Sequence, residues 1–363
     1  MEIKNWYVIG IMSGTSLDGV DLAYVKISRN SGYDFELLQT ESLEYSELWK
    51  NKLQGAFTIS GEKLTELDAE YGIFLADQVR KFIAKRNIKK VDFLASHGHT
   101  IFHDPQKNYT LQIGSGAHLA ARSGYKVICD FRVQDVALGG QGAPLVPIGD
   151  KLLFGTYDFC LNIGGFANIS FDLGSERIAY DICPANIVLN HYTRSRGLDY
   201  DDKGQVASQG QINKGLLDEL NNLEFYLQQR PKSLGYEFVE EMILPIIENY
   251  GLSFKDILRT YNEHIALQIA NEIDSKSKIL NKDNSTVLIT GGGAYNDFMI
   301  RRISELSKAE IKLPSNQLIE FKEALIFALL GVLKEQEEIN CLKSVTGACM
   351  DHSSGVVYGS KLK

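Results

Sequence analysis

The stretch Ile9-Gly-Ile-Met-Ser-Gly-Thr-Ser-Leu-Asp-Gly-Val-Asp21 decides how this chain is read. It leaves an apolar run beginning at Trp6, crosses a patch of glycine and hydroxyl residues, and enters a second apolar run after Asp18-Gly19. Successive backbone N–H groups in such a patch can point into one concavity. Glycine permits close approach and hydroxyls add donors, so the patch suits an anion. Asp18-Gly19 is equally a favoured dipeptide for a plain hairpin turn. Two similar breaks occur, at 164–168 and 291–293, and each follows an apolar strand, at the carboxyl end where open α/β sheets bind ligands. Three such loops can hold a nucleotide along its length. The first is no Walker A loop, because Gly19 is followed by Val20 rather than by Lys and a hydroxyl residue.

Apolar periodicity predicts strands at 6–12, 19–28 and 35–43, and helices at 46–57 and 62–85. Strands follow at 91–96 and 110–113, then a helix at 117–123 and a strand at 126–130. The pattern restarts with strands at 157–163, 169–173 and 178–182 and a helix at 185–195. A largely helical middle runs from 211 to 271, followed by a strand at 286–290 and a long helix at 320–337. Both halves open with strand, glycine turn, strand. The boundary is placed near Arg132, ahead of Gly139-Gly140-Gln141-Gly142. That gives an N-terminal lobe 1–132, a C-terminal lobe 133–345, and a segment 346–363 assigned to neither.

The 363 residues are 44% hydrophobic and 23% charged, enough for two domains with their own cores. A net charge of -8 argues against a nucleic-acid partner, since phosphate backbones need a basic face. Local amides and arginines can still hold a small anion. The five cysteines are scattered without a CxxC pair, which predicts reduced thiols and a cytoplasmic location. The N-terminus does not read as a signal peptide, and the longest apolar stretch, 324–333, is too short to span a bilayer. His97, His99 and His103 sit in a segment that Gly98, Thr100 and Pro105 mark as a loop; no further ligand pattern completes a zinc site. Cys183 reads as a small packing residue.

The loops, in this order, resemble the acetate/sugar kinase, chaperone ATPase and actin superfamily. More narrowly, the chain resembles the anhydro-N-acetylmuramic acid kinase family. The resemblance rests on GIMSGTSLDGVD at 10–21, SHGHT at 96–100, TLQIG at 110–114, DFR at 130–132 and GGQGAPLVP at 139–147. It continues with NIGGFANI at 162–169, TGGG at 290–293, Glu323-Ala324 and VTGA at 345–348. It implies an α/β, two-lobed actin-like or sugar-kinase (ribonuclease H-like) fold with a central ATP cleft and hinge closure. It implies ATP and Mg²⁺ acting on a 1,6-anhydro amino sugar from cell-wall turnover, giving N-acetylmuramate 6-phosphate, and a homodimer.

Carried onto this sequence, the resemblance assigns ATP contacts to Ser13, Gly14, Thr15, Ser16, Asp18 and Gly19. Further ATP contacts fall on Asn162, Gly164, Gly165 and Asn168, and on Gly291, Gly292 and Gly293. Asp18 would hold Mg²⁺ through water. Asp181 would be the base that activates water. Arg132, Thr100, His97 and Glu323 would meet the sugar. The chain departs from the wider pattern in having Ile9-Gly10-Ile11 where an Asp commonly precedes the first turn. It also reads Ile182-Cys183-Pro184-Ala185-Asn186 where the family has a Thr-Gly-Pro-Gly-Asn-like turn.

The alternative reading of Asp181 is a cap for the helix after Pro184. Two other functions stay open on the sequence. One is an ATP-binding regulatory module of the same fold. The other is a dinucleotide-dependent oxidoreductase using residues 112–130, where Gly114 and Gly116 lie between a strand and a helix and Asp130 ends the next strand.

Overall fold

The computed structural model describes residues 3–14, 17–228 and 232–359, so Thr15 and Ser16, both expected at the first phosphate loop, lie outside the described residues. The described chain forms two compact units, residues 1–153 with 321–363, and residues 154–320.

The first unit opens with β1 (Lys4–Met12), β2 (Gly19–Arg29) and β3 (Tyr33–Glu44), an antiparallel meander. In β1, Val8, Ile9, Gly10 and Ile11 are all buried, the pattern of a strand covered on both faces. After it come β4 (Phe93–Ser96), β5 (His99–Asp104), β6 (Tyr109–Ile113) and β7 (Val127–Cys129). β4 pairs parallel to β1, and β7 parallel to β4. The Gly61–Lys85 helix starts at Ser60, whose hydroxyl accepts from the Lys63 amide, and it buries Leu67, Tyr71, Leu75, Val79 and Phe82 along one face.

The second unit repeats the design with β8 (Phe159–Ile163), β9 (Phe166–Leu173), β10 (Glu176–Pro184), β11 (Thr286–Thr290) and β12 (Glu310–Lys312). β8, β9 and β10 form the antiparallel meander; β11 pairs parallel to β8 and β12 parallel to β11. The Phe254–Ile279 helix buries Leu258, Tyr261, Ile265, Ile269 and Ile273 in the core formed with β8 and β11. The two strand orders, β3-β2-β1-β4-β7 and β10-β9-β8-β11-β12, are the same, with the same directions. This is the ribonuclease H-like sheet, once in each unit, and it fulfils the expected repeat. β13 (Val356–Tyr358) adds an antiparallel sixth strand beside β7.

Three expectations need correction. The first unit reaches Leu153 rather than Arg132, and takes in residues 321–363, of which 321–345 were expected in the C-terminal lobe. The Val146–Leu153 helix packs Gly149 onto Ile326, and Asp150 forms a buried ion pair with Lys322 at 2.7 Å. Those contacts, with β13, tie both stretches to the first sheet. Second, His99–Asp104 is a strand, paired antiparallel with β6 in a separate two-stranded sheet. Its buried positions alternate at His99 and Ile101, a period of two that hydropathy hides because a histidine occupies an inward position.

Third, the dinucleotide reading of 112–130 fails. β6 pairs with β5 and not with β7, so no parallel βαβ unit forms. A Cβ at Gly116 would meet Cys129 Sγ and the Tyr358 ring, so that glycine serves close packing and leaves no room for a pyrophosphate.

The Asn316–Glu335 helix lies against β1 so closely that a Cβ at Gly10 would fall on the Ala324 carbonyl oxygen. Because that obstacle is backbone, Gly10→Ala should cost at least about 1–3 kcal/mol and lower the melting temperature by several degrees. Calorimetry on the variant checks this; an unchanged melting temperature would show that the helix shifts without penalty.

Candidate active site

In the first unit the loop after β1 has two different sides. Ser13 is 1% exposed, and its hydroxyl bonds Tyr45 Oη at 2.7 Å, Tyr71 Oη at 2.9 Å and His99 Nδ1 at 2.9 Å. That hydroxyl is therefore committed to the core, which leaves the Ser13 amide as its only candidate phosphate contact. Burial pushes His99 down to about 4, so its ring is neutral in this network. Gly14 is half-buried, and Leu17 has φ 61, a left-handed value that costs a side-chain residue on the order of 1–3 kcal/mol. Gly19 is accounted for by β3, since a Cβ there would meet the Leu43 carbonyl.

Asp18 is exposed, and its carboxylate accepts no hydrogen bond among the described residues. A single free carboxylate suits Mg²⁺, which keeps several waters and takes one or two carboxylates alongside phosphate oxygens. The residue present therefore fits the ion.

At the ends of β4 and β7 a second group gathers. Arg132 Nε donates to His97 Nε2 at 3.0 Å, and Arg132 Nη1 donates to the Gly142 carbonyl at 2.7 Å. His97 Nδ1 sits 2.8 Å from the Gly98 carbonyl, so Nδ1 carries the proton and Nε2 accepts. Burial, then Arg132, hold the His97 pKa well below its usual value, which keeps the ring neutral and able to accept. Both ring nitrogens of His97 thereby have protein partners, Nε2 in Arg132 and Nδ1 in the Gly98 carbonyl. Arg132 Nη2 remains free of hydrogen bonds among the described residues.

Glu323 is exposed at its surface, yet the protein around its carboxyl raises its pKa; Arg132, then Lys322, oppose the rise. Thr100 stands apart, its hydroxyl accepting from Gln112 Nε2 at 3.3 Å. The three histidines of this region take three separate partners, His103 bonding Thr110 at 3.0 Å.

The second unit assembles a row across its sheet. Thr290 pairs with Asn162, Asn162 with Asn168, and Asn168 with Asp181. Residues opposite one another in antiparallel strands share a face, so Asn162, Asn168 and Asp181 stand side by side. A bulge follows between Asp181 and Cys183. Gly164 and Gly165 turn the chain from β8 to β9, and their carbonyls accept from the amides of Asn186, Ala185 and Ile187. Gly291 follows Thr290 with φ 83; a Cβ there would lie 2.6 Å from Asn162 Oδ1 and 2.7 Å from the Ile163 carbonyl. Gly293 is buried against Ile163, while Gly292 and Gly165 are exposed. The expected glycine loops 164–165 and 291–293 thus come together around Asn162 and Ile163. Asn186 joins them, its amide 3.4 Å from the Ile163 carbonyl.

Asp181 does not cap a helix: the cap position of the Asn186–Arg194 helix is Ala185, with no side-chain bond. The Asp181 carboxylate instead accepts from the Leu234 amide at 2.9 Å and the Ser233 hydroxyl at 3.4 Å. Burial raises its pKa, and those two donors oppose the rise. Cys183 is fully buried and its thiol is pushed up by burial, so it stays protonated and serves packing.

Sequence reasoning missed Ser233 and Leu234, which lie in a middle region read as helical. It also missed Asp135, buried in the Val133–Ala137 helix, whose carboxylate accepts from the Gly142 amide at 2.7 Å. No local pattern flags either; only the glycine-rich 139–142 run hints at a backbone needing support.

The five cysteines are free, and among the described residues no helix is long and apolar enough to cross a membrane. The family model for anhydro-N-acetylmuramic acid kinase matches residues 6–360. The chain is 33% identical to the anhydro-N-acetylmuramic acid kinase of Sulfurimonas denitrificans, covering 97% of this chain and 99% of that one. It is 33% identical to that of Vibrio parahaemolyticus, with 99% of each covered, and 35% identical to that of Mannheimia succiniciproducens, with 97% and 98% covered. On a match that runs almost end to end, this chain belongs to the anhydro-N-acetylmuramic acid kinase family of carbohydrate kinases.

Proposed function

We propose that this chain phosphorylates 1,6-anhydro-N-acetylmuramic acid with ATP and adds water across the anhydro bridge in the same turnover. Asp181 takes a proton from water as the water oxygen attacks C1. The C1–O6 bond breaks, and O6 takes the γ-phosphoryl group, giving N-acetylmuramate 6-phosphate and ADP. The row Asn162–Asn168–Asp181 carries this reading: it sets a carboxylate with a raised pKa on the sheet face next to two glycine loops.

Phosphoryl transfer needs positioning and charge stabilisation more than covalent help. Amides of Gly164, Gly165 and Gly291–Gly293 would meet the phosphates. Asp18 would hold Mg²⁺, which would supply neutralisation of the phosphate charge. The free Nη2 of Arg132 would donate to a sugar hydroxyl or carboxylate, with His97 fixing the fork, and the Glu323 carboxylate would accept from a sugar hydroxyl. A homodimer and a cytoplasmic location complete the reading; a monomer in sedimentation equilibrium would remove the first.

Asp181→Asn should lower turnover by about 10²–10⁴-fold while ATP still raises the melting temperature. Unchanged turnover would remove Asp181 as the base, and ATP binding without any turnover in the parent protein would favour a regulatory module. Run in ¹⁸O-water, the parent reaction should give a sugar phosphate heavier by one solvent oxygen, read by mass spectrometry. A product without the label overturns the hydrolytic step.

The pH profile gives a separate check. A base works only when deprotonated, and burial raises this one. The acid limb of kcat/KM should therefore lie above the ordinary carboxylate range, with activity lost as pH falls through it. An acid limb at or below the usual Asp value would contradict the assignment.

A further inference from the structure

Asp135 belongs to no expected site, yet it is the most heavily engaged carboxylate near Arg132. It is 0% exposed. Its Oδ2 accepts from the Gly142 amide at 2.7 Å; its Oδ1 accepts from the Thr346 hydroxyl at 2.7 Å and from His352 Nε2 at 2.9 Å. Its own carbonyl accepts from the Gly140 amide at 2.9 Å. A Cβ at Gly140 would strike Asp135 Oδ2, and Gly142 has φ 68, so glycines at both places let the loop close over the carboxylate. The Gly142 carbonyl then accepts from Arg132 Nη1 at 2.7 Å. One residue, Gly142, is thus held on its N–H by Asp135 and on its C=O by Arg132.

Asp135, Cys341 and His352 bring ligand-type atoms within 4.8 Å of one another, but they are poorly prepared for a metal. Both Asp135 oxygens already accept hydrogen bonds, and burial pushes the Cys341 thiol up to about 12, so it stays protonated. Charge-assisted hydrogen bonds to a buried carboxylate are the stronger kind, and they fix geometry as well as energy.

We propose that Asp135 is a positioning residue for the sugar: it holds Gly142, which with His97 presents the free Nη2 edge of Arg132. The chain of contacts runs from Thr346 and His352, through Asp135 and Gly142, to Arg132. It couples the VTGA segment at 345–348 to the arginine fork, and so explains a segment for which the phosphate and sugar contacts alone give no use. The proposal rests on the reading that Arg132 meets the sugar.

The test is steady-state kinetics on Asp135→Asn, on Arg132→Lys and on the double variant, with sugar and ATP varied separately. An amide in place of the carboxylate keeps the shape but turns a donor toward one of the three existing donors. Asp135→Asn should raise the sugar KM by about tenfold or more, with the ATP KM within about twofold of the parent. In the Arg132→Lys background the Asp135 change should add little, because coupled residues are non-additive.

If Arg132→Lys leaves the sugar KM unchanged, the underlying assignment of Arg132 fails. If Arg132→Lys raises it but Asp135→Asn does not, or raises both KM values together, the positioning role fails while the kinase reading stands. Should Asp135→Asn not fold, Thr346→Val removes one donor from the same carboxylate. It should raise the sugar KM by about twofold to fivefold with the ATP KM unmoved, and no change in the sugar KM overturns the proposal.

Discussion

The tight seat of the Asn316–Glu335 helix on β1 governs the first unit. No side chain fits between Gly10 and the Ala324 carbonyl, so the helix can sit in one place only. Glu323 is the residue before that contact. Its position beside Arg132, and the position of the loop that leaves β1 at Met12, therefore follow from one backbone approach. The buried Asp150–Lys322 ion pair and the Gly149–Ile326 contact hold the same helix from its other side, which is why residues well beyond Arg132 belong to this unit.

The second unit solves a different problem with the same sheet order. Its cross-strand row brings Asn162, Asn168 and Asp181 to one level, and the turns at 164–165 and 291–293 begin where that row ends. Close packing of Gly291 and Gly293 on Ile163 leaves Gly292 and Gly165 as exposed backbone. Exposed amides beside a desolvated carboxylate are what phosphate binding and proton abstraction require of one surface.

Much of the fold was legible. Both meanders show as paired apolar runs around a glycine turn, and the Ser60 cap with its spaced apolar face marks the long early helix. The His99–Asp104 strand was not legible, because His99 is an inward residue that looks polar. The roles proposed for the glycine loops and Asp181 come from motif resemblance and not from periodicity. Ser13 was misread in part: a hydroxyl beside a glycine looks like a phosphate donor, yet Tyr45, Tyr71 and His99 take it from three distant points in the chain. The hydrogen bond from Arg132 to His97, 35 positions earlier, has no local sequence signal either.

Sequence alone determined the elements that repeat locally: strand alternation, helix faces, turn glycines and the order of the three loops. These depend on neighbours within a few residues, and the chain states them directly. Tertiary structure decided which donors are spent and which stay free. Whether Ser13, His97 or Asp181 can face a ligand depends on partners 30 to 90 positions away, which satisfy a buried polar group or leave it unmet. A buried hydrogen-bonding group must find a partner somewhere, and only the folded chain shows where.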